Sequence, residues 1–209
     1  MRTFLIAAAA TLFAVPATAQ DLTRPEGWNI RFDMAGASEA DLETFVGMPP
    51  GWHITSGPAG IYWGPGMSIS GEYRAEMEVF LFDPQGRREA FGIFVGGRDL
   101  EGPGQSYTYF LLRDGGQFII KKRDGADAPT VQGWTSHNAI RSYADRGDEA
   151  TVKNVLAIEA GAETVRFLVN DTEVMRVPRS ELGMDGVFGF RVNHGLNLHV
   201  SRIEATPLR

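Results

Sequence analysis

Residues 106 to 125, "SYTYFLLRDGGQFIIKKRDG", decide the fold. Ser106 to Arg113 carries Tyr107, Tyr109 and Leu111 on one side and Thr108, Phe110 and Leu112 on the other. Gln117 to Arg123 returns with Phe118 and Ile120 facing opposite to Gln117 and Ile119. Asp114-Gly115-Gly116 between them accepts positive φ cheaply, as a tight hairpin requires. A glycine loop that cradles phosphate would open into a helix, whereas "QFIIKKR" has β-branched residues and no helical period. The stretch is a β-hairpin within a larger sheet.

The same grammar runs outward in both directions. From Gly71 to Phe82, "GEYRAEMEVFLF" places Tyr73, Ala75, Met77, Val79 and Leu81 on one face and Glu72, Arg74, Glu76 and Glu78 on the other. Period two over this length predicts a strand with one dry and one wet face. "FDPQGR" is turn chemistry, and "AFGIFVGG" (90–97), apolar on both faces, predicts a strand covered on both sides. "TVKNVLAIEAG" and "ETVRFLVNDTEVMRV" predict three strands with turns at Ala160-Gly161-Ala162 and Asn170-Asp171; "GVFGFRVN" and "LNLHVSRIEATPL" predict two more, joined across His194-Gly195. "GWNIRFDM", "GWHITS" and "GIYW" read as shorter strands. Helical signals are confined to "SEADLETF" (38–45) and one turn at "SELG" (180–183). Ten to twelve strands with almost no helix predict an all-β antiparallel sandwich or barrel.

Residues 1–19, "MRTFLIAAAATLFAVPATA", have one Arg, an apolar run from Phe4 to Val15 and a small-x-small Ala17-Thr18-Ala19. These are the marks of a signal peptide, so export to the periplasm or the medium is expected, with 20–209 as a single domain. No segment is apolar over the ~20 residues a membrane helix needs. The chain has no Cys, so disulfides cannot contribute and stability must come from the core. Formal charge is −6, and removal of Arg2 with the leader makes it −7, which argues against nucleic acid as a partner.

The order of these elements resembles the concanavalin A-like lectin/glucanase superfamily. The resemblance is carried by "FGIFVGG", the Tyr-rich strand with its Gly hairpin, "WTSHNAI", "NVLAIE" followed by "VRFLVND", and the final "GVFGFRV". It covers most of the chain from about Gly51 onward. It extends to laminin-G-like modules and 3-keto-disaccharide hydrolase domains, and implies a jelly roll of two curved antiparallel sheets that meets saccharide on its concave face or rim loops. Family 16 glycoside hydrolases on this fold carry Glu-x-Asp-x-x-Glu on one strand. The acidic strand here, Glu72 to Glu78, lacks that Asp and that spacing.

Candidate site residues follow from their chemistry. Glu76 and Glu78, two apart on one strand face, have the spacing of a carboxylate pair for glycoside hydrolysis, or belong to a solvated face neutralised by Arg74 and nearby Lys. His137, after "GWTS" and beside Trp134, is the histidine placed to join them in acid/base work. His194 and His199, five apart, would point to opposite faces of a strand and cannot share a metal. Flat rings stack on sugars at modest entropic cost, which marks Trp52, Tyr62, Trp63 and Trp134 in Gly/Pro-bordered segments, and Tyr107 within a strand. Their alternative is to fill the core. Arg98, Asp99 and Tyr107 flank "GGRDLEGPGQSY" and can bond hydroxyls or cap the loop itself. No cofactor is required; calcium is a weaker option, with Asp124, Asp127 and Asp185 in turns but no EF-hand spacing.

Three functions are open to such a chain. It is expected to be an exported, non-catalytic module binding a saccharide or cell-envelope component through rim aromatics. The alternatives are a hydrolase resembling the 3-keto-disaccharide hydrolases, with Glu76, Glu78 and His137 as its acids and bases, and a structural domain that packs on another chain. Clustered carboxylates in a pocket favour the second, and a large apolar patch favours the third.

Overall fold

The computed structural model describes residues 22–208, and the expected leader lies outside them. Fifteen strands form: β1 Asn29–Phe32, β2 Thr44–Gly47, β3 Trp52–Thr55, β4 Gly60–Trp63, β5 Ser68–Ile69, β6 Tyr73–Leu81, β7 Ala90–Arg98, β8 Ser106–Arg113, β9 Gln117–Asp124, β10 Thr130–Ser136, β11 Val152–Ala160, β12 Thr164–Val169, β13 Thr172–Pro178, β14 Gly186–Val192 and β15 Asn197–Pro207. One sheet of eight runs β1-β4-β14-β7-β8-β9-β10 with β5 added to β14, and a sheet of seven runs β13-β12-β11-β6-β15-β3-β2. Every pairing is antiparallel, so the molecule is an all-β sandwich.

The periodicities explain which face each strand buries. The dry face of β6, from Tyr73 to Leu81 by twos, is almost wholly shielded from solvent, and its alternate residues are half-buried. It meets Phe91, Ile93 and Val95 of β7, Phe110 and Leu112 of β8, and Phe190 and Val192 of β14 in one core. Aromatic contacts cross between the sheets at two places. Phe110 stands 5.3 Å edge-on to Phe167 of β12, and Phe45 of β2 stands 5.3 Å edge-on to Tyr62, which stacks on Phe190 at 5.0 Å. A large side chain buried there contributes about 1.5–3 kcal/mol relative to exposure.

The turns behave as their residues dictate. Gly115 and Gly116 have φ of +86° and +71°, and Arg113 pairs with Gln117 across them. Asn170 and Asp171 have φ of +49° and +63° in a two-residue loop between Val169 and Thr172, the backbone of a type I′ hairpin turn.

Two expectations need correction. "SEADLETF" forms only a single 3-10 turn at Glu39–Asp41 before β2 begins at Thr44. So short a segment cannot offset helix nucleation, and Phe45 gains more by entering the core against Trp28 and Tyr62. β10, the edge strand of the eight-stranded sheet and the one that carries Trp134, is missing from the expected strands, because a Gly and two register shifts hid its pattern.

Candidate functional site

The outer face of the eight-stranded sheet carries a second buried cluster. By alternation, Ile61 and Trp63 of β4, Ala90 and Phe94 of β7, Tyr107, Tyr109 and Leu111 of β8 and Ile119 of β9 all point away from the main core, and Leu100 folds down on them. Leu100 belongs to the segment between β7 and β8. Asp99, with φ of +45°, starts that turn, and its carboxylate accepts the Gly104 N–H at 2.9 Å. Arg31 of β1 ties the segment to the sheet by donating to the Leu100 and Gly102 carbonyls at 2.7 and 2.6 Å.

Arg191 of β14 is the charged centre of this face. It is 8% exposed, and its guanidinium pairs with both carboxylate oxygens of Asp33. It also donates to the Tyr107 hydroxyl at 3.3 Å and lies 5.3 Å from the Tyr109 ring centroid. Gly189, two residues earlier, has no room for a side chain: a Cβ would collide with the Tyr62 carbonyl and come within 2.7 Å of the Phe94 ring. Burial alone would raise the Asp33 pKa. The hydrogen bonds and charge of Arg191, with the charges of Arg123 and His194, reverse that and hold it below the ordinary carboxylate value. Burial raises the Tyr107 and Tyr109 phenols, against the lowering charge of Arg191.

Six residues along β8 from Tyr107, Arg113 lies beneath Trp134. Its guanidinium carbon is 3.9 Å from the ring centroid, and Arg113 is itself held by the Gln117 carboxamide at 2.9 and 2.6 Å. Gln117 also accepts from Arg88 and donates to Ser136. Of the large hydrophobic residues exposed among those described, Leu22, Met34, Trp134 and Leu208, only Trp134 is aromatic. One face of its ring is therefore fixed by a cation while the residue remains 37% exposed, with polar groups around it.

The structure brings some sequence candidates together and separates others. Trp63 and Asp99 line one hollow beside Leu100, and Arg98 and Tyr107 line another at the ends of β7–β9. Arg98 donates to the Asp185 carbonyl at 3.2 Å. Trp52 packs inward, its ring 4.7 Å from Trp28, so it serves the core. Tyr62 is likewise fully buried. Glu76 and Glu78 project from the outer face of the other sheet. Glu76 binds Arg74 at 2.6 Å and Arg202 at 2.5 Å, and Glu78 accepts from Ser201 at 2.7 Å and Lys153 at 3.3 Å. His137 follows β10 and uses its Nδ1 to accept the Ala139 N–H at 3.1 Å. It borders the β8–β9 hairpin through a backbone bond to Gly116. His137 is thus on a different element from Glu76 and Glu78, which share β6 and are already engaged.

The turn aspartates have structural partners: Asp124 and Asp127 bridge each other through backbone, and Asp185 accepts from Arg179 and the Gly71 N–H. No group of three His, Asp or Glu is gathered as metal ligands among the described residues.

Sequence reasoning missed Asp33, Arg191 and Arg113. Asp33 and Arg191 are 158 positions apart, so no local pattern links them. An Arg in the midst of the apolar "GVFGFRVN" was the available signal, since a buried guanidinium must find a carboxylate. The histidine that neighbours His199 is His53, its direct register partner across β3 and β15, rather than His194.

No protein-family model matches the sequence, and no curated protein matches it. Solved structures do. A carbohydrate binding module, CBM66 from Bacillus subtilis, superposes with a TM-score of 0.60 at 14% identity, over 88% of this chain and 96% of that one. A Bacteroides ovatus mixed-linkage-glucan GH16 in complex with a product superposes with a TM-score of 0.61 at 8% identity, over 89% and 97%. A human galectin-16 variant gives 0.50 at 10% identity, over 68% and 91%. The fold is the concanavalin A-like jelly roll.

Proposed function

We propose that this chain is an exported carbohydrate-binding module whose saccharide lies along the outer face of the eight-stranded sheet, with Trp134 as its stacking platform. The observation that carries the reading is the Trp134 ring, exposed to solvent yet braced by Arg113 at 3.9 Å. A ring already held in place loses little entropy on stacking against a sugar. Gln117, Arg88 and Ser136 around it offer donors and acceptors for hydroxyls. The carbohydrate-binding module and the glucan hydrolase that share the fold support a saccharide ligand by analogy. The leader-like segment 1–19 supports export to the periplasm or medium, where the ligand is a saccharide or a cell-envelope component bearing one.

Binding is favoured over hydrolysis by the carboxylates themselves. A glycosidase needs a carboxyl group whose pKa is raised so that it can donate a proton. The hydrogen bonds of Ser201 and Lys153 hold the candidate Glu78 below its ordinary value, and Glu76 is paired with Arg74 and Arg202. The test is affinity electrophoresis of the chain without its leader through a panel of soluble polysaccharides, followed by chromatography of each polymer. Retention of the wild type by an uncleaved polymer, lost in Trp134→Ala, is expected. Cleavage of the polymer would replace the reading with the hydrolase, and no retention anywhere would leave the protein-interaction alternative.

A further inference from the structure

The two sheets treat their cations differently. On the outer face of the seven-stranded sheet, Arg74, Lys153, Arg166, Arg176 and Arg202 each hold a carboxylate within 3.3 Å. At the ends of β7–β9, Arg98, Lys122 and Arg123 join no ion pair among the described residues. These three line one hollow of about 250 Å³, together with Tyr107 and a single carboxylate, Asp124. Lys122 donates to the Glu181 carbonyl at 3.1 Å and Arg98 to the Asp185 carbonyl at 3.2 Å, which positions both side chains without neutralising either. Arg123 lies opposite Tyr107 in register, and its Nε is buried with no acceptor. In a chain of net charge −6, the hollow gathers three cations against one carboxylate.

We infer that this hollow receives the carboxylate of an anionic saccharide, a uronic acid unit within a polysaccharide; the inference rests on the saccharide-binding reading. A guanidinium fork matches a carboxylate in plane and spacing. The hollow is below the ~300 Å³ at which pockets for whole small molecules begin, so it suits one acidic group of a larger chain. It opens on the sheet that carries Trp134. β8 runs from Tyr107 at the hollow to Arg113 under the tryptophan, and six residues at ~3.3 Å each separate the two by about 20 Å, an oligosaccharide's length. An acidic polymer bound there would meet the sugar platform and the cationic hollow in turn.

The test is isothermal titration of the chain lacking residues 1–19 with an oligogalacturonate and with its carboxyl-reduced, neutral counterpart of equal length, at low and ~0.15 M salt. Inorganic phosphate is titrated in parallel. The acidic oligomer is expected to bind at least ~10-fold tighter than the neutral one, with the advantage shrinking as salt rises. Arg123→Gln and Lys122→Gln should each erase most of that advantage while leaving neutral-oligomer affinity unchanged, and Lys122→Gln should leave the thermal midpoint unchanged as well. Equal affinity for the two oligomers would overturn the inference and leave saccharide binding intact. Phosphate binding as tightly as the oligomer, and lost in the same variants, would overturn it in favour of a small-anion site. Binding of neither oligomer overturns it as well, and touches the saccharide reading itself only if the wider polysaccharide panel is also blank.

Discussion

Replacing Asp33 with Asn tests whether the outer face of the eight-stranded sheet is organised around a buried ion pair. Arg191 is nearly inaccessible, and Asp33 is its one carboxylate partner among the described residues. Removing one partner of a fully buried pair costs about 3–5 kcal/mol, because the remaining charge is left in low dielectric. The Asp33 side chain is 35% exposed and Asn keeps one acceptor oxygen, so solvent screening brings the expected loss down to about 2–3 kcal/mol. At about 2–4 °C per kcal/mol for a chain of this size, the thermal midpoint should fall by about 4–12 °C at pH 7, read by circular dichroism or calorimetry. The double variant Asp33→Asn/Arg191→Met removes the stranded charge and should recover most of the loss. The pH dependence has a definite sign. Because Asp33 is held below its ordinary pKa, its stabilising effect is complete above about pH 4 and is lost as pH falls through the lowered folded value. A variant midpoint within ~2 °C of wild type at pH 7 would mean that Arg191 is solvated without its partner and that the ion pair does not organise this face.

Other consequences can be checked in the same preparations. Met77→Ala, at a fully buried position of β6, should cost about 2–5 kcal/mol by denaturant titration, with little change in the slope. Gly189→Ala should cost about 1–3 kcal/mol or prevent folding, because its Cβ meets the Tyr62 carbonyl and the Phe94 ring; this is read from expression and melting. Glu76→Gln and Glu78→Gln should each lower stability by less than ~1 kcal/mol and leave polysaccharide retention unaltered, whereas loss of a cleaved product would favour hydrolysis. His53 is lowered first by burial and then by the charge of His199. Stability should therefore decline as pH falls below about 6.5, and His53→Gln should flatten that decline in melting curves.

The elements readable in the sequence are those whose pattern is local. β6 alternates without a break, the β8–β9 hairpin carries its own turn glycines, and Asn170-Asp171 marks a two-residue turn, so their faces and registers followed from period and turn chemistry alone. Short strands set by distant partners did not show: β2 is four residues under a helix-like acidic sequence, and it exists because β3 and the core accept it. The same division holds at the site. Trp134, Arg98 and Tyr107 could be named as aromatic or polar groups near strand ends. The pairing of Arg191 with Asp33 and the seating of Trp134 on Arg113 depend on which strands become neighbours. Glu76 and Glu78 show the converse, since a spacing of two placed them correctly on one face but could not reveal Arg202 and Ser201 arriving from β15.

Which sheet meets the saccharide can be read residue by residue. The most direct measurement is an amide and indole chemical-shift titration of the isotopically labelled chain with a polysaccharide that retains it in electrophoresis. If the outer face of the eight-stranded sheet binds, the Trp134 indole and the amides of Arg113, Gln117 and Ser136 move together and saturate at one affinity, while Glu76, Glu78 and their neighbours on the seven-stranded sheet stay still. Movement centred on that other sheet, with a silent Trp134, would contradict it.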